Sequence, residues 1–467
     1  MSVRHFFSVF KQVVFCDMKV ETKHTTFTSF CFGFQIPTSP SIFLNMDVKN
    51  RVLTLAMLFL FLFFCFPFAF VEAYQPFNLN ITQNKNQTFF NVTNTLNNNR
   101  PSTIVLQIQG TLGHYTVPLE IGNPPKPFEL DIDTGSDLTW VECEPCTNCK
   151  TPINKRYKPH GNFEPCADSL CTEVGKPRTF KCVKGNSNGQ CHYLIEYEDG
   201  GSSRGVFVRD NVHIKFTNKV VKQPPLVFGC GNDQKFHGHY APGILGLGKG
   251  KSSILSQLHD LGLVANVVGH CLKEKGGIIF FGDKFNYQRG IVWAKMLQRP
   301  SDHYILDSAN ILYNGKPTSV TGLEVIFDTG STYTYLNARS YKAVLDLVST
   351  DLKRTPLKEA TPDTSQPMCW KGPKPFKSVA DVRNYFKPLA LIFTKSNNAQ
   401  LQLPLESYLV VTKEGNVCLG ILDGSKNGLQ NLNIIGDISF QGKLVVYDND
   451  KKQIGWVPGT CIYKTPM

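Results

Sequence analysis

Charged side chains are scarce in this 467-residue chain: Asp, Glu, Lys and Arg make up 18% of it, against about 25% in an average soluble protein. That scarcity does not suit a coiled coil or an acidic disordered chain. The formal charge is +12, from 49 Lys and Arg against 37 Asp and Glu. No run of about five or more basic residues concentrates it, so a nucleic-acid footprint has no support. The 11 histidines contain no His-Glu-x-x-His, which speaks against a zinc-protease helix. No Gly-x-Ser-x-Gly elbow marks a serine hydrolase. Gly246-Leu247-Gly248-Lys249-Gly250-Lys251-Ser252 resembles a phosphate loop, but Leu245 stands where its first glycine must be. A strand, a turn and a helix are expected there. Neither metal nor cofactor is expected.

What is abundant is turn-forming and aromatic: 37 Gly, 28 Pro and 34 Phe. Such a chain suits many short strands joined by turns, an all-β architecture. Ile104-Val105-Leu106-Gln107-Ile108 and the stretch from His114 to Gly122 alternate as strands do, and Asn123-Pro124-Pro125 makes a turn. One helical period runs through Leu336, Tyr341, Val344, Leu345, Val348 and Leu352, predicting an amphipathic helix of about four turns.

The N-terminus speaks to compartment. Val52 to Val71 are almost wholly apolar, follow Lys49 and Arg51, and precede Glu72-Ala73, the pattern of a secretory signal peptide. Translation is expected to start at Met46, which leaves 1–45 as an upstream extension and 46–73 as the signal, cleaved after Ala73. A retained signal anchor is the alternative, since about 20 apolar residues suffice to span a bilayer. Membrane association is expected only in that case. Residues 78–99 hold nine Asn and three glycosylation sequons, at Asn80, Asn86 and Asn91. The segment 74–102 is therefore expected to be a glycosylatable prosegment, and the destination secreted or vacuolar.

Cysteine usage agrees. Of 15 cysteines, Cys16, Cys31 and Cys65 precede the end of the signal, leaving twelve: Cys143, Cys146, Cys149, Cys166, Cys171, Cys182, Cys191, Cys230, Cys271, Cys369, Cys418 and Cys461. An even number in an exported chain reads as disulfides. The close spacing of Cys143, Cys146 and Cys149 also suits a metal, but a metal needs reduced thiolates, which the secretory pathway opposes.

One motif occurs twice. Asp133-Thr134-Gly135-Ser136 follows the apolar strand Phe128 to Ile132, and Asp328-Thr329-Gly330-Ser331 follows Val325-Ile326-Phe327. About a hundred residues after each comes an apolar pair and Gly: Ile244-Leu245-Gly246, then Ile434-Ile435-Gly436. The repetition predicts two similar lobes, 103–290 and 291–467. An Asp ending a buried strand before Thr-Gly-Ser sits on a tight turn, where Gly allows close approach and Ser can bond the carboxylate. Two such turns facing each other bring two carboxyls to about 3 Å, where they cannot both ionise. The pair then holds one proton, and can activate a water while protonating a substrate carbonyl.

On these motifs the chain resembles the pepsin-like aspartic proteases, and within them the plant nucellin-like and nepenthesin-like branch. The resemblance spans roughly 103–463. It also takes in Tyr197-Glu198-Asp199-Gly200, Phe228-Gly229-Cys230-Gly231, Gly269-His270-Cys271 and Cys418-Leu419-Gly420-Ile421. It implies a bilobal fold, with Asp133 and Asp328 as the catalytic pair of a monomeric acid endopeptidase acting on polypeptides. Thr134 and Thr329 would bond across the lobes, and Ser136 and Ser331 would orient the carboxylates beside Gly135 and Gly330. Tyr197 would close over substrate from a flap that differs from the common pattern in placing Glu198 after the Tyr. Trp140 would pack beside that flap or simply fill the core. Asp131 and Asp283 lack a following Thr/Ser-Gly and read as structural. The resemblance also implies Cys271–Cys461 and Cys369–Cys418 bridges, and makes 143–191 a branch-specific insert. The alternative function on the same fold is a non-catalytic binding or inhibitor protein. Such relatives usually damage one Asp-Thr-Gly, and here both are intact.

Overall fold

The computed structural model describes residues 10–15, 32–37, 103–174, 189–236, 240, 242–285, 288–298, 301–361, 367–459 and 461. The apolar run 52–71, the expected prosegment 74–102 with Asn80, Asn86 and Asn91, and Cys182 lie outside the described residues. The chain forms two compact units, Met1–Gln83 and Asn84–Met467. In the first, the strand Phe10–Phe15 pairs antiparallel with Phe32–Pro37. No helix among the described residues is long and apolar enough to cross a membrane.

The second unit is built from strands. A 14-stranded sheet runs from His192–Glu196 and Ser202–Lys215 through Pro225–Lys235, Trp140–Thr147, Gly243–Gly246 and Lys126–Asp133. It continues through His114–Ile121, Ile104–Thr111, Lys275–Phe281 and Val267–Leu272. An eight-stranded sheet in the C-terminal half contains Ile305–Tyr313, Leu323–Phe327, Ile434–Ile435, Thr334–Leu336 and Ile421–Asp423. This is the bilobal, mostly β arrangement of the pepsin-like fold. The first sheet does not stop at residue 290. Lys443–Asp448, Gln453–Pro458 and Val292–Lys295 join it beside Val267–Leu272, so the last strands of the C-terminal half complete the N-terminal half's sheet.

Alternation explains how each repeated motif is delivered. In Lys126–Asp133, Phe128, Leu130 and Ile132 point inward, at 7%, 0% and 1% exposure. In Leu323–Phe327, Leu323, Val325 and Phe327 do the same. Each strand carries apolar anchors at every second position and presents an Asp where it ends. The two apolar-pair segments lie alongside in parallel, Ile244–Gly246 against Asp131–Asp133 and Ile434–Ile435 against Ile326–Phe327.

The expected helix spans Ala338–Leu352, with Asn337 accepting the N–H of Ser340 at its N-terminus. Tyr341, Val344, Val348 and Leu352 are its buried face, and Leu345 packs against the core half-buried. Leu336 belongs instead to the strand Thr334–Leu336. The Asn337 cap starts the helix after it.

Candidate active site

The two Asp-Thr-Gly-Ser turns meet, and their contacts repeat across a local dyad. Thr134 donates its backbone N–H to Thr329 Oγ1 at 3.0 Å and its hydroxyl to the Phe327 carbonyl at 3.0 Å. Thr329 returns both, to Thr134 Oγ1 at 3.0 Å and to the Ile132 carbonyl at 3.1 Å. Gly135 N–H donates to Asp133 Oδ1 and Gly330 N–H to Asp328 Oδ1, each at 2.8 Å. The Ser136 hydroxyl bonds Asp133 Oδ2, and the Ser331 hydroxyl bonds Asp328 Oδ2 at 2.7 Å.

Glycine is required at both turns by what lies opposite. A β-carbon on Gly135 would sit 2.5 Å from Asp328 Oδ1, and one on Gly330 2.5 Å from Asp133 Oδ1. Each carboxyl therefore leans over the other motif's glycine. Asp133 and Asp328 come close enough for the Asp328 carboxyl to act directly on the protonation of Asp133. Burial first, and the Asp328 charge second, push the Asp133 carboxyl up to about 7. Such a pair keeps one proton through the acid range.

Over the dyad's N-terminal side stands a hairpin, His192–Glu196 and Ser202–Lys215. Tyr197 lies at its turn, closed by bonds from Tyr197 N–H to the Gly201 carbonyl and from Gly200 N–H to the Tyr197 carbonyl, each 2.9 Å. Gly200 takes φ +84°, a region open to glycine. The Trp140 indole N–H donates to the Tyr197 hydroxyl at 2.7 Å. Trp140 is also 2% exposed and packs with Tyr193, Phe207 and Val227, so it both fills the core and holds the Tyr197 hydroxyl. Burial, with Asp133 nearby, keeps that phenol protonated.

This geometry decides a family, and sequence comparison agrees. Models described as xylanase inhibitor N-terminal and xylanase inhibitor C-terminal match residues 115–283 and 306–458. The chain is 39% identical over 386 residues to an aspartic proteinase of Oryza sativa subsp. indica, covering 77% of this chain and 92% of that protein. The chain belongs to the pepsin-like aspartic proteases. It is 26% identical over 386 residues to aspartic proteinase nepenthesin-1 of Nepenthes gracilis, covering 78% and 82% of the two chains. Among solved structures, Basic 7S globulin from soybean superposes with a TM-score of 0.61 at 18% identity, over 76% of this chain and 95% of that one. That likeness shows the fold alone. Activity follows the named proteinases: the protein is an aspartic-type endopeptidase.

The cysteines pair as Cys143–Cys230, Cys146–Cys149, Cys171–Cys191, Cys271–Cys461 and Cys369–Cys418, and Cys166 is also disulfide-bonded. Asp131 lies 3.4 Å from His114 Nδ1. Asp283 follows the strand Lys275–Phe281 and is half-buried.

Two carboxyls escaped sequence reasoning. Asp437, 2% exposed, opens the short helix Asp437–Phe440, and its N–H bonds the Ser331 carbonyl at 2.8 Å. Burial, with Asp328, Asp131 and Asp133 adding to it, holds its carboxyl well above the usual range. The signal available was its position directly after the second apolar pair and Gly. Asp137 follows Ser136 and lies in the loop that resembled a phosphate cradle. Gly250 N–H donates to its Oδ1 at 2.7 Å, and β-carbons on Gly248 or Gly250 would sit 2.2 or 2.4 Å from its oxygens. The glycine-rich loop wraps the protein's own carboxylate.

Proposed function

We propose that Asp133 and Asp328 hydrolyse peptide bonds of polypeptide substrates through a water held between them. The ionised carboxylate takes a proton from the water as its oxygen attacks the carbonyl carbon, and the protonated carboxyl delivers its proton to the carbonyl oxygen. The resulting gem-diol collapses as the carboxyl that took the water's proton gives it to the amide nitrogen, the other carboxylate takes a proton from a gem-diol hydroxyl and the C–N bond breaks, leaving the pair with one proton again. No covalent intermediate forms. Thr134 and Thr329 fix the two turns, Ser136 and Ser331 orient the carboxylates, and Tyr197 closes over the substrate. The observation that carries this reading is that each carboxyl leans over the other motif's glycine, Asp328 Oδ1 at Gly135 and Asp133 Oδ1 at Gly330. A binding protein without catalysis would not need both Asp-Thr-Gly-Ser motifs intact.

The test is Asp133→Asn and Asp328→Asn, assayed on a denatured protein at about pH 4, where ordinary carboxyls titrate. Each should abolish cleavage with the fold retained. If both kept more than about a tenth of the rate, roughly 1.4 kcal/mol of barrier, the assignment would fail. Pepstatin should inhibit by placing its hydroxyl between the carboxyls. The reading extends to a monomer entering the secretory pathway on 52–71 and maturing by loss of a 74–102 prosegment. N-terminal sequencing of the native protein tests both together.

A further inference from the structure

The flap hairpin has two faces, and the outer one borders a cavity of 620 Å³. Successive strand residues point to opposite sides. Tyr193 pairs with Gly205, and its hydroxyl bonds Ser203 on the inner face, beside Trp140. Leu194 and its partner Arg204 therefore face outward, and both line the cavity. The strand Pro225–Lys235 contributes Asp233 and Lys235, Phe236 follows, and the Cys-rich segment supplies Asn148 and Lys150.

Charge in this cavity is one-sided. Its three cations, Lys150, Arg204 and Lys235, face one acid, Asp233, which accepts from Asn148 Nδ2 at 3.2 Å. The Lys150 ammonium stands 4.9 Å from the Phe236 ring centre and 5.4 Å from that of Tyr240, an aromatic rather than ionic partnership. Among the described residues neither Arg204 nor Lys235 has an ion-pair partner. Gln234, between Asp233 and Lys235 on the strand, pairs with Ser203 and by the same alternation points to the inner face, 3% exposed.

We propose that this cavity is a binding site for an acidic peptide segment, with Arg204 and Lys235 holding its carboxylates and Leu194 and Phe236 contacting its apolar stems. The guanidinium fork suits a carboxylate, and Lys235 adds a second charge. The hairpin strand that carries Arg204 already pairs with the strand that carries Lys235, Ser202 opposite Lys235, so an occupied site adds side-chain links to that pairing and one to Lys150, outside both strands. On the reading of that hairpin as the flap, occupancy restricts flap opening, so substrate turnover changes when the acidic segment binds.

The test uses the full mature protein carrying Asp133→Asn, which separates binding from catalysis, and an acetylated, amidated tetraglutamate peptide at about pH 6, where glutamate is ionised. Calorimetry should give saturable binding that weakens with salt. Adding Arg204→Gln and Lys235→Gln should weaken it at least tenfold. In an otherwise wild-type chain, the same pair of substitutions should leave hydrolysis of a neutral peptide unchanged. No saturable binding, or equal affinity in the double variant, overturns the proposal. So does inorganic phosphate binding as tightly as the peptide, since the site would then read charge alone. If Asp133 proved not to be catalytic, the binding result would stand unaffected.

Discussion

Thr134 and Thr329 each give a backbone N–H to the other's hydroxyl, both at 3.0 Å, across 195 residues of chain. Both are buried, at 0% and 4% exposure. Valine at either position keeps the shape, orphans a buried N–H on the opposite turn and leaves a carbonyl short of a partner. An orphaned buried donor costs about 1–3 kcal/mol, so Thr134→Val and Thr329→Val should each lower stability by that order. Each should also cut kcat more than KM, since the turns set the carboxyls rather than the substrate pocket. Serine restores the hydroxyl and should recover most of both losses. Equal kcat in the valine variants would show that the exchange does not position the dyad.

The pH dependence of stability carries opposed contributions, and Asp133 and His270 show the two signs. The Asp133 carboxyl is raised from 3.8 to about 7 in the fold. Between those values the folded state binds more protons than the unfolded one, so this group's contribution is full below about pH 4 and fades as pH rises through 7. His270, 1% exposed and bonded to the Tyr447 hydroxyl at 3.1 Å, is lowered from 6.5 to about 3 by burial. There the unfolded state binds more protons, so stability is lost as pH falls from 6.5 toward 3. Asp133→Asn removes the first contribution only. Its Tm should exceed the wild type's near pH 7 and match or fall below it near pH 4. A constant Tm difference across that range would contradict the shared proton.

Activity should follow the same proton. The mono-protonated pair exists until the upper apparent pKa is passed, and Asp133 sits at about 7. Cleavage should peak in acid and decline through neutrality. A kcat/KM profile still rising above about pH 7.5 would contradict the mechanism.

The glycine-rich loop makes a further prediction. A β-carbon at Gly250 would lie 2.4 Å from Asp137 Oδ2, and Gly250 donates to the same carboxyl. Gly250→Ala should displace Asp137 and destabilise the protein by about 1–3 kcal/mol, read as a lower urea midpoint. ATP should not protect against that unfolding, because the Asp137 carboxyl already fills the loop.

The repeated Asp-Thr-Gly-Ser motif and its apolar pairs were legible because they are local: alternation and turn chemistry specify them without the rest of the chain. So was the Ala338–Leu352 helix, apart from Leu336, where the Asn337 cap outranked periodicity. Long-range pairing was not legible. Nothing in Lys443–Asp448 announces that it joins Val267–Leu272, since a strand's pattern fixes which face is buried and not which partner it meets. Buried charge was equally silent. Lys443, 5% exposed, is held by Ser407 Oγ and the Ser439 carbonyl at 2.9 Å each, and Asp437 sits beneath the dyad. Sequence composition makes both look like surface residues.

The Cys271–Cys461 bridge closes a separation of 190 residues. It attaches the C-terminal end to Val267–Leu272, which pairs on one side with Lys275–Phe281 and on the other with Lys443–Asp448. In the chain-entropy model a closure of this length contributes roughly 4–5 kcal/mol, an upper figure because native strain subtracts. The bonded strand also carries His270, which reaches the Tyr447 hydroxyl, and Tyr447 lies near enough to Thr134 and Asp328 for both to act on its phenol. Loosening the bridge therefore loosens a path that ends at the dyad's turn. Cys271→Ala with Cys461→Ala should lower Tm and reduce kcat while the separate Cys369–Cys418 bridge stays formed. Removing that second bridge, which spans 49 residues, should lower Tm with a smaller effect on kcat. Non-reducing peptide mapping fixes the pairings, and parallel melting and kinetic measurements rank the two variants. If both lost activity only in step with their loss of folded protein, the link from the C-terminal tail to the catalytic turn would be refuted.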